Sequence, residues 1–239
     1  MKRNVTMEEI SDGNFYTAND MVKADCRDCE GCSACCRNMG DSLQLDPYDI
    51  WQLGTGLGKS FEEMLQAGWI ELGVTDGMIL PHLRTDQESG DGDVDVKGAC
   101  PFLDEKGRCS IHAFRPGICR LFPLGRYYEE DGNGFRYFLQ IHECKKKDRS
   151  KVKVKKWLGI PELKEYESYI TSWHSLIKSC EESIRELSEE EQKILQMVML
   201  RTFYQTPYPG EKTEDLEQPE QFYKAYEERR EMIRDKLGL

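Results

Sequence analysis

The chain of 239 residues is 38% apolar and 10% aromatic, which is enough for a folded core in one large domain or two small ones. Its 44 acidic and 33 basic residues give a net charge of −11, which argues against a general nucleic-acid binder. No stretch approaches the roughly 20 apolar residues of a membrane helix, and the amino terminus lacks the apolar segment of a secretory signal. We therefore predict a cytoplasmic protein with no membrane and no specific nucleic acid among its partners.

The cysteine content is the most informative feature of the composition. Ten cysteines are many for a cytosolic chain, and nine of them lie between Cys26 and Cys144. We predict an N-terminal segment over 1–25, a loop-rich cysteine-cluster domain that binds metal over 26–150, and a helical C-terminal region over 151–239. The predicted fold class is α+β and mostly helical, with a short β-hairpin in the cysteine-cluster domain.

Two short helices are predicted directly after the first cysteines. Asp46 suits the N-cap and Pro47 the first turn of one helix, which Gly54 would end. Ser60 followed by Glu63 three residues later forms a capping box, which predicts a second helix reaching about residue 68.

The middle of the chain shows strand patterns. Residues 78–83 are expected to form a strand, and the polar, acidic residues 85–98 an exposed loop. Residues 124–128 and 135–141 are separated by a glycine-rich acidic turn, which predicts the β-hairpin.

Beyond Pro161 the apolar period changes from about 2 to about 3.6, which predicts helices. Ser188 and the glutamates after it predict a further helix reaching about Tyr204, and residues 218–237 predict a charged one. The apolar stripe of the first of these helices predicts that Cys180 is an inert core residue. The stripe is formed by Leu163, Tyr166, Ile170, Trp173, Ile177, Cys180, Ile184 and Leu187.

The early cysteines have the spacing of a metal site. Cys29, Cys32 and Cys35 are evenly spaced with Cys36 adjacent, and two-residue spacers let a turn direct successive thiolates at one metal. A second register, formed by Cys26, Cys29, Cys32 and Cys36, has the spacing of bacterial ferredoxins. The sequence leaves both registers open.

A second group of cysteines lies further along the chain, at Cys100, Cys109, Cys119 and Cys144. Zinc and cubane clusters each favour four ligands, so two four-ligand sites or one shared multinuclear site would use both groups. Bound thiolates carry negative charge, which favours nearby cations. We therefore assign Arg115 and Arg120, the arginines closest to Cys119, to the surroundings of the cofactor.

A basic run, Lys145–Lys156, holds eight bases and one acid. Three roles remain open for it: solvated surface, a patch for an acidic protein partner, or a charge complement to the acidic helices.

The motif Cys29-x-x-Cys32-x-x-Cys35-Cys36 resembles the signature of the CxxCxxCC cysteine-cluster family (YkgJ type), a zinc- or iron-chelating domain. Blocks at 100–103, 109–111, 115–116 and 119–123 strengthen the resemblance, which covers roughly residues 25–144. Cys26 lies outside the signature. The resemblance implies metal or iron–sulfur binding by eight residues: Cys29, Cys32, Cys35, Cys36, Cys100, Cys109, Cys119 and Cys144.

The function we expect is iron–sulfur binding of the 4Fe–4S type, related to redox chemistry or electron transfer. Eight cysteines, adjacent thiols and scarce histidines favour clusters over zinc. One alternative is a protein lysine N-methyltransferase using S-adenosylmethionine, because some relatives are flagellin lysine N-methylases; the sequence shows no glycine-rich turn for that cofactor, and no catalytic residue is assigned. Another is a zinc-stapled interaction module with a protein partner.

Overall fold

The computed structural model describes residues 6–27, 32–37, 39, 42–85, 98–210 and 219–238. The predicted fold class, α+β and mostly helical, is confirmed. The helices are α1 (Met7–Ile10), α2 (Pro47–Leu57), α3 (Phe61–Gln66), α4 (Gly117–Leu121), α5 (Val154–Leu158), α6 (Leu163–Ser183), α7 (Glu189–Leu200) and α8 (Pro219–Leu237). The strands are β1 (Ser11–Tyr16), β2 (Met21–Asp25), β3 (Ile70–Thr75), β4 (Met78–Leu83), β5 (Leu124–Tyr128), β6 (Phe135–Gln140) and β7 (Ser150–Lys153).

The chain divides into two compact units. The first unit comprises Met1–Leu43, Thr85–His112 and Gly117–Thr171, and the second comprises Gln44–Arg84, Ala113–Pro116 and Ser172–Leu239. The division into three consecutive segments stays a prediction. Within the described residues, no helix is both long enough and apolar enough to cross a lipid bilayer.

The first unit contains two small antiparallel sheets. One has the strand order β1-β6-β5, and the other pairs β2 with β7. The predicted hairpin is confirmed, with Leu124 opposite Leu139 and Tyr128 opposite Phe135. Strands β1 and β2 were not assigned as strands from the sequence, because polar and charged residues interrupt their apolar alternation. Pairing with distant strands forms them instead.

The second unit contains the β3–β4 hairpin, α2, α3, α7, α8 and the second half of α6. The prediction of a strand over 78–83 is confirmed by β4, which pairs with β3 from Met78 opposite Thr75 to Leu83 opposite Ile70. The predicted helices at the C-terminal end are confirmed as α6, α7 and α8, and Ser188 caps α7 in a box with Glu191. Phe222 is fully buried within this unit.

Both predicted caps of the early helices are confirmed. Asp46 caps α2, and Ser60 forms the capping box with Glu63 at the start of α3. The predicted end of α2 at Gly54 is wrong, because the helix continues to Leu57 and ends at Gly58, which has a φ of 64°. Inside this helix, Gly56 leaves room for the Phe114 ring, because a Cβ at this position would lie 2.5 Å from a ring atom.

The stripe predicted for α6 is buried at Tyr166, Ile170, Trp173, Ile177 and Cys180, and also at Ile184 just beyond the helix. Most of the predicted acidic loop, residues 86–97, lies outside the described residues.

Candidate metal centre

Four cysteines line one small pocket within the first unit: Cys26, Cys32, Cys35 and Cys144. Cys26 is 6% exposed, and the other three cysteines are half-buried. Cys144 is separated from the others by more than a hundred residues of sequence, so the fold brings together thiols from distant parts of the chain. Ala34, Phe122, Pro123, Glu143, Lys145 and Lys146 complete the lining.

Pairing of β2 with β7 brings Cys26 and Cys144, which are far apart in sequence, to the same pocket. Asp25, the last residue of β2, lies opposite Ser150, the first residue of β7. The Ser150 hydroxyl donates to the Asp25 carboxylate at 2.9 Å, and Arg27 forms an exposed ion pair with Asp148 at 3.9 Å. The segment just after β2 therefore lies beside the segment just before β7, and Cys26 and Cys144 belong to these two segments.

A single 3-10 turn over Ala34–Cys36 orients the adjacent cysteines. The backbone N–H of Cys36 donates to the Ser33 carbonyl at 3.0 Å, and the Arg37 Nε donates to the Ser33 hydroxyl at 3.1 Å. Cys35 lines the pocket, whereas the backbone of the adjacent Cys36 is hydrogen-bonded to a different segment of the chain.

That segment carries the second group of cysteines. The Cys100 backbone N–H donates to the Cys36 carbonyl at 2.8 Å, and Arg37 pairs with Ala99 in an isolated β-bridge. Cys109 belongs to the same segment and pairs with Leu103 in another isolated β-bridge.

The thiol of Cys100 is shielded from water and close to another thiol. Burial raises the pKa of Cys100, a backbone hydrogen bond from Phe102 lowers it, and a negative charge on Cys109 raises it. A lone thiolate at this position is therefore unfavourable, and a cation shared by the two sulfurs would offset that cost.

The remaining predicted residues have different placements. Cys119 lies on α4 within the first unit, and Cys29 lies outside the described residues. Arg120 is buried, and its Nη1 donates to the carbonyls of Leu158 and Gly159 at 3.4 and 3.3 Å, at the end of α5. Arg115 belongs to the second unit. The assignment of both arginines to the cofactor surroundings stays a prediction.

Sequence reasoning left the role of Cys26 open and did not connect the lysines at positions 145 and 146 with the metal site. A signal for Cys26 was present, since the ferredoxin-like register includes it. The lysines follow Cys144 directly, so the basic run begins at the pocket rather than on a remote surface.

The donor set of this unit fits a thiolate-bound metal. No disulfide joins any of the nine cysteines that the structure describes. Four sulfurs at one pocket match the number of ligands that zinc and iron–sulfur clusters take. Among the described residues, no three histidine, cysteine or carboxylate side chains already have the spacing of a bound metal ion. Metal binding would therefore have to draw the thiolates together.

The fold and the gathered thiols define a cysteine-cluster protein. The CxxCxxCC family, described as "Putative zinc- or iron-chelating domain", matches residues 28–150, just over half of the chain. The chain belongs to this family, so the resemblance found in the sequence is confirmed. No curated protein and no solved structure matches the chain.

Proposed function

We propose that this chain is an iron–sulfur protein that holds clusters of the 4Fe–4S type and takes part in electron transfer. The observation that carries the proposal is the pocket in which Cys32, Cys35 and Cys144 meet, because three residues assigned to metal from opposite ends of the family match share one cavity. The proposed ligands are Cys29, Cys32, Cys35, Cys36, Cys100, Cys109, Cys119 and Cys144. Bound clusters of this kind accept and donate single electrons.

The pocket residues support binding of a negatively charged centre. Lys145 and Lys146 line the pocket together with Glu143, so one net positive charge offsets part of the charge of the thiolates. Phe122 and Pro123 provide apolar lining, which limits the access of water to the sulfurs. The chain thus contributes sulfur donors, counter-charge and partial exclusion of solvent.

Zinc is the second candidate, because the same thiolate set binds it and the family description names zinc beside iron. In that case the metal would be structural, since four sulfurs leave no open coordination position. No described contact favours methyl transfer from S-adenosylmethionine, which stays a prediction.

Anaerobic purification followed by metal and sulfide analysis tests the proposal. We expect iron and acid-labile sulfide together with broad visible absorption that bleaches on reduction by dithionite. A colourless protein with stoichiometric zinc would refute the cluster and support a structural zinc site. A protein without bound metal would refute both.

Two ligand variants and one control sharpen this experiment. Cys32→Ser and Cys119→Ser should each lower the metal content, because each removes a proposed donor. Cys180→Ser should retain the metal, since Cys180 is a buried residue of the second unit. Unchanged metal content in the first two variants would remove Cys32 and Cys119 from the set of proposed ligands.

A further inference from the structure

Cys26 lies in the thiol pocket although it precedes the family match at residues 28–150. We propose that Cys26 is a metal ligand and that it forms one four-thiolate site with Cys32, Cys35 and Cys144. The inference rests on the proposed function and deepens it, because it assigns a definite set of four donors to one of the metal positions.

The backbone around Cys26 fixes the direction of its side chain. Strand β2 ends at Asp25, whose carboxylate accepts hydrogen bonds from the Arg27 backbone N–H and the Ser150 hydroxyl, both at 2.9 Å. Arg27 has a φ of 56°, a left-handed conformation that is uncommon for a residue with a Cβ. Cys26 is therefore held between the end of β2 and a residue in the left-handed conformation, as an oriented ligand should be.

The number of donors also favours Cys26. The described thiols of this pocket number four with Cys26 and three without it, and zinc and cubane clusters each favour four ligands. Lys145, Lys146 and Glu143 line the same pocket, so its charged lining carries two positive charges and one negative charge, and the net positive charge favours thiolates over neutral thiols.

Cys180 shows the contrasting environment of a cysteine in an apolar core. It is fully buried on the stripe of α6 between Ile177 and Ile184. Cys26 is also buried, but it shares its pocket with three other thiols and two lysines. Burial is common to both residues, and the surrounding donors distinguish them.

The other described contacts place Cys36, Cys100 and Cys109 in a separate group. Cys36 and Cys100 are joined through their backbones, and Cys100 and Cys109 interact electrostatically. None of these three cysteines lines the pocket of Cys26. The inference therefore predicts that loss of Cys26 empties one metal position and leaves the other filled.

The test measures metal per chain in anaerobically purified Cys26→Ser, Cys144→Ser and the double variant. We expect each single variant to lose the same fraction of the wild-type metal, about half if two equal sites are filled, and the double variant to lose no more than either. Cys180→Ser is the matched control, since it makes the same thiol-to-hydroxyl change at a fully buried position outside the pocket. It should keep the wild-type metal content.

Wild-type metal content and spectrum in Cys26→Ser would overturn the inference while leaving the proposed function intact. A metal-free wild-type protein would refute the two together. Because Cys26→Ser could also disturb folding, alkylation of the wild-type chain provides a measurement without mutation. Chelation should accelerate alkylation of Cys26 at least tenfold and leave Cys180 slow, and equal rates at Cys26 before and after chelation would contradict ligation.

Discussion

The thiol-bearing segments of the first unit and the aromatic core of the second unit differ in how much apolar surface they bury. In the second unit, aromatic rings pack on one another: Phe222 contacts the rings of Tyr48, Trp51 and Tyr208 at centroid distances of 5.1, 5.4 and 4.4 Å. In the first unit, residues 98–112 bury only Phe102 and Ile111 among their apolar side chains. Residues 32–37 are all half-buried.

The difference shows where a cofactor would matter for folding. Burial of large apolar side chains contributes about 1.5–3 kcal/mol each, so the second unit has its own driving force. The thiol-bearing segments of the first unit have little apolar burial of this kind. If metal binds there, its binding free energy becomes folding free energy for these segments.

Metal removal should reveal the largest difference in stability between the two units. After chelation under reducing conditions, we expect residues 32–37 and 98–112 to lose their protection against amide hydrogen exchange, while α7 keeps it. The apparent binding energy of structural zinc in small domains is about 10–16 kcal/mol, so the effect should be large. Hydrogen-exchange mass spectrometry measures it peptide by peptide, and equal loss of protection throughout the chain would contradict the comparison.

Truncation of the aromatic core should affect the second unit in turn. Phe222→Ala should lower the free energy of unfolding by about 3–5 kcal/mol, because it leaves a cavity among fully packed rings. Urea denaturation followed by tryptophan fluorescence measures the change.

Ile194→Ala is the control for Phe222→Ala, since Ile194 is 56% exposed and its truncation should change stability by less than about 0.5 kcal/mol. Metal content should remain at the wild-type level in both variants. A Phe222→Ala protein that folds normally but loses its metal would link the two units energetically.

The cap of α7 should have a smaller effect, confined to the same unit. The Ser188 hydroxyl accepts a hydrogen bond from the Glu191 backbone N–H, and the Glu191 carboxylate accepts one from the Ser188 N–H. Ser188→Ala should lower the stability by about 1 kcal/mol, as measured by urea denaturation. Ser188→Asp restores a capping oxygen and should recover most of that loss, whereas no recovery would show that the cap is not the cause.

The reactivity of the Cys180 thiol should depend least on bound metal. Burial, with a smaller contribution from the charge of Glu181, raises the pKa of Cys180 from 9.0 to about 11. The native state therefore holds its proton more tightly than the unfolded state, so the associated stability is present below pH 9 and is lost as the pH rises through about 11. At pH 8 its thiolate fraction is about a hundredfold below that of an ordinary thiol.

We expect alkylation of native Cys180 at pH 8 to be slow both with and without metal, as measured by mass spectrometry of iodoacetamide-treated protein. Rapid labelling after chelation would show that the second unit loosens with the first, which would remove the distinction between them.

Local signals in the sequence were sufficient for much of the fold. The caps at Asp46, Ser60 and Ser188 and the 3.6-residue period of α6 act over a few residues, so they could be recognised without the structure. The end of α2 could not, because a glycine caps a helix where it takes the left-handed conformation, and Gly58 rather than Gly54 does so here. The approach of Phe114 to Gly56 depends on the tertiary fold.

The candidate site was predictable in composition but not in grouping. Spacing leaves two registers open, one of which includes Cys26, and the family match begins after that residue. The residue enters the pocket through the pairing of β2 with β7, two short strands whose sequences contain lysines and little alternation. Such long-range pairing has no local signature, so the partnership of Cys26 and Cys144 follows only from the fold.

The pairing of Asp25 with Ser150 can form only late during synthesis, because these residues are 125 positions apart in the chain. At ribosomal rates of about 5–20 residues per second, Cys144 is made roughly 5–20 s after Cys35. The early sulfurs therefore leave the ribosome before their last neighbour exists, and the complete pocket can form only when most of the polypeptide has emerged. Loading of the pocket as a whole must then be a late step in the maturation of the nascent chain.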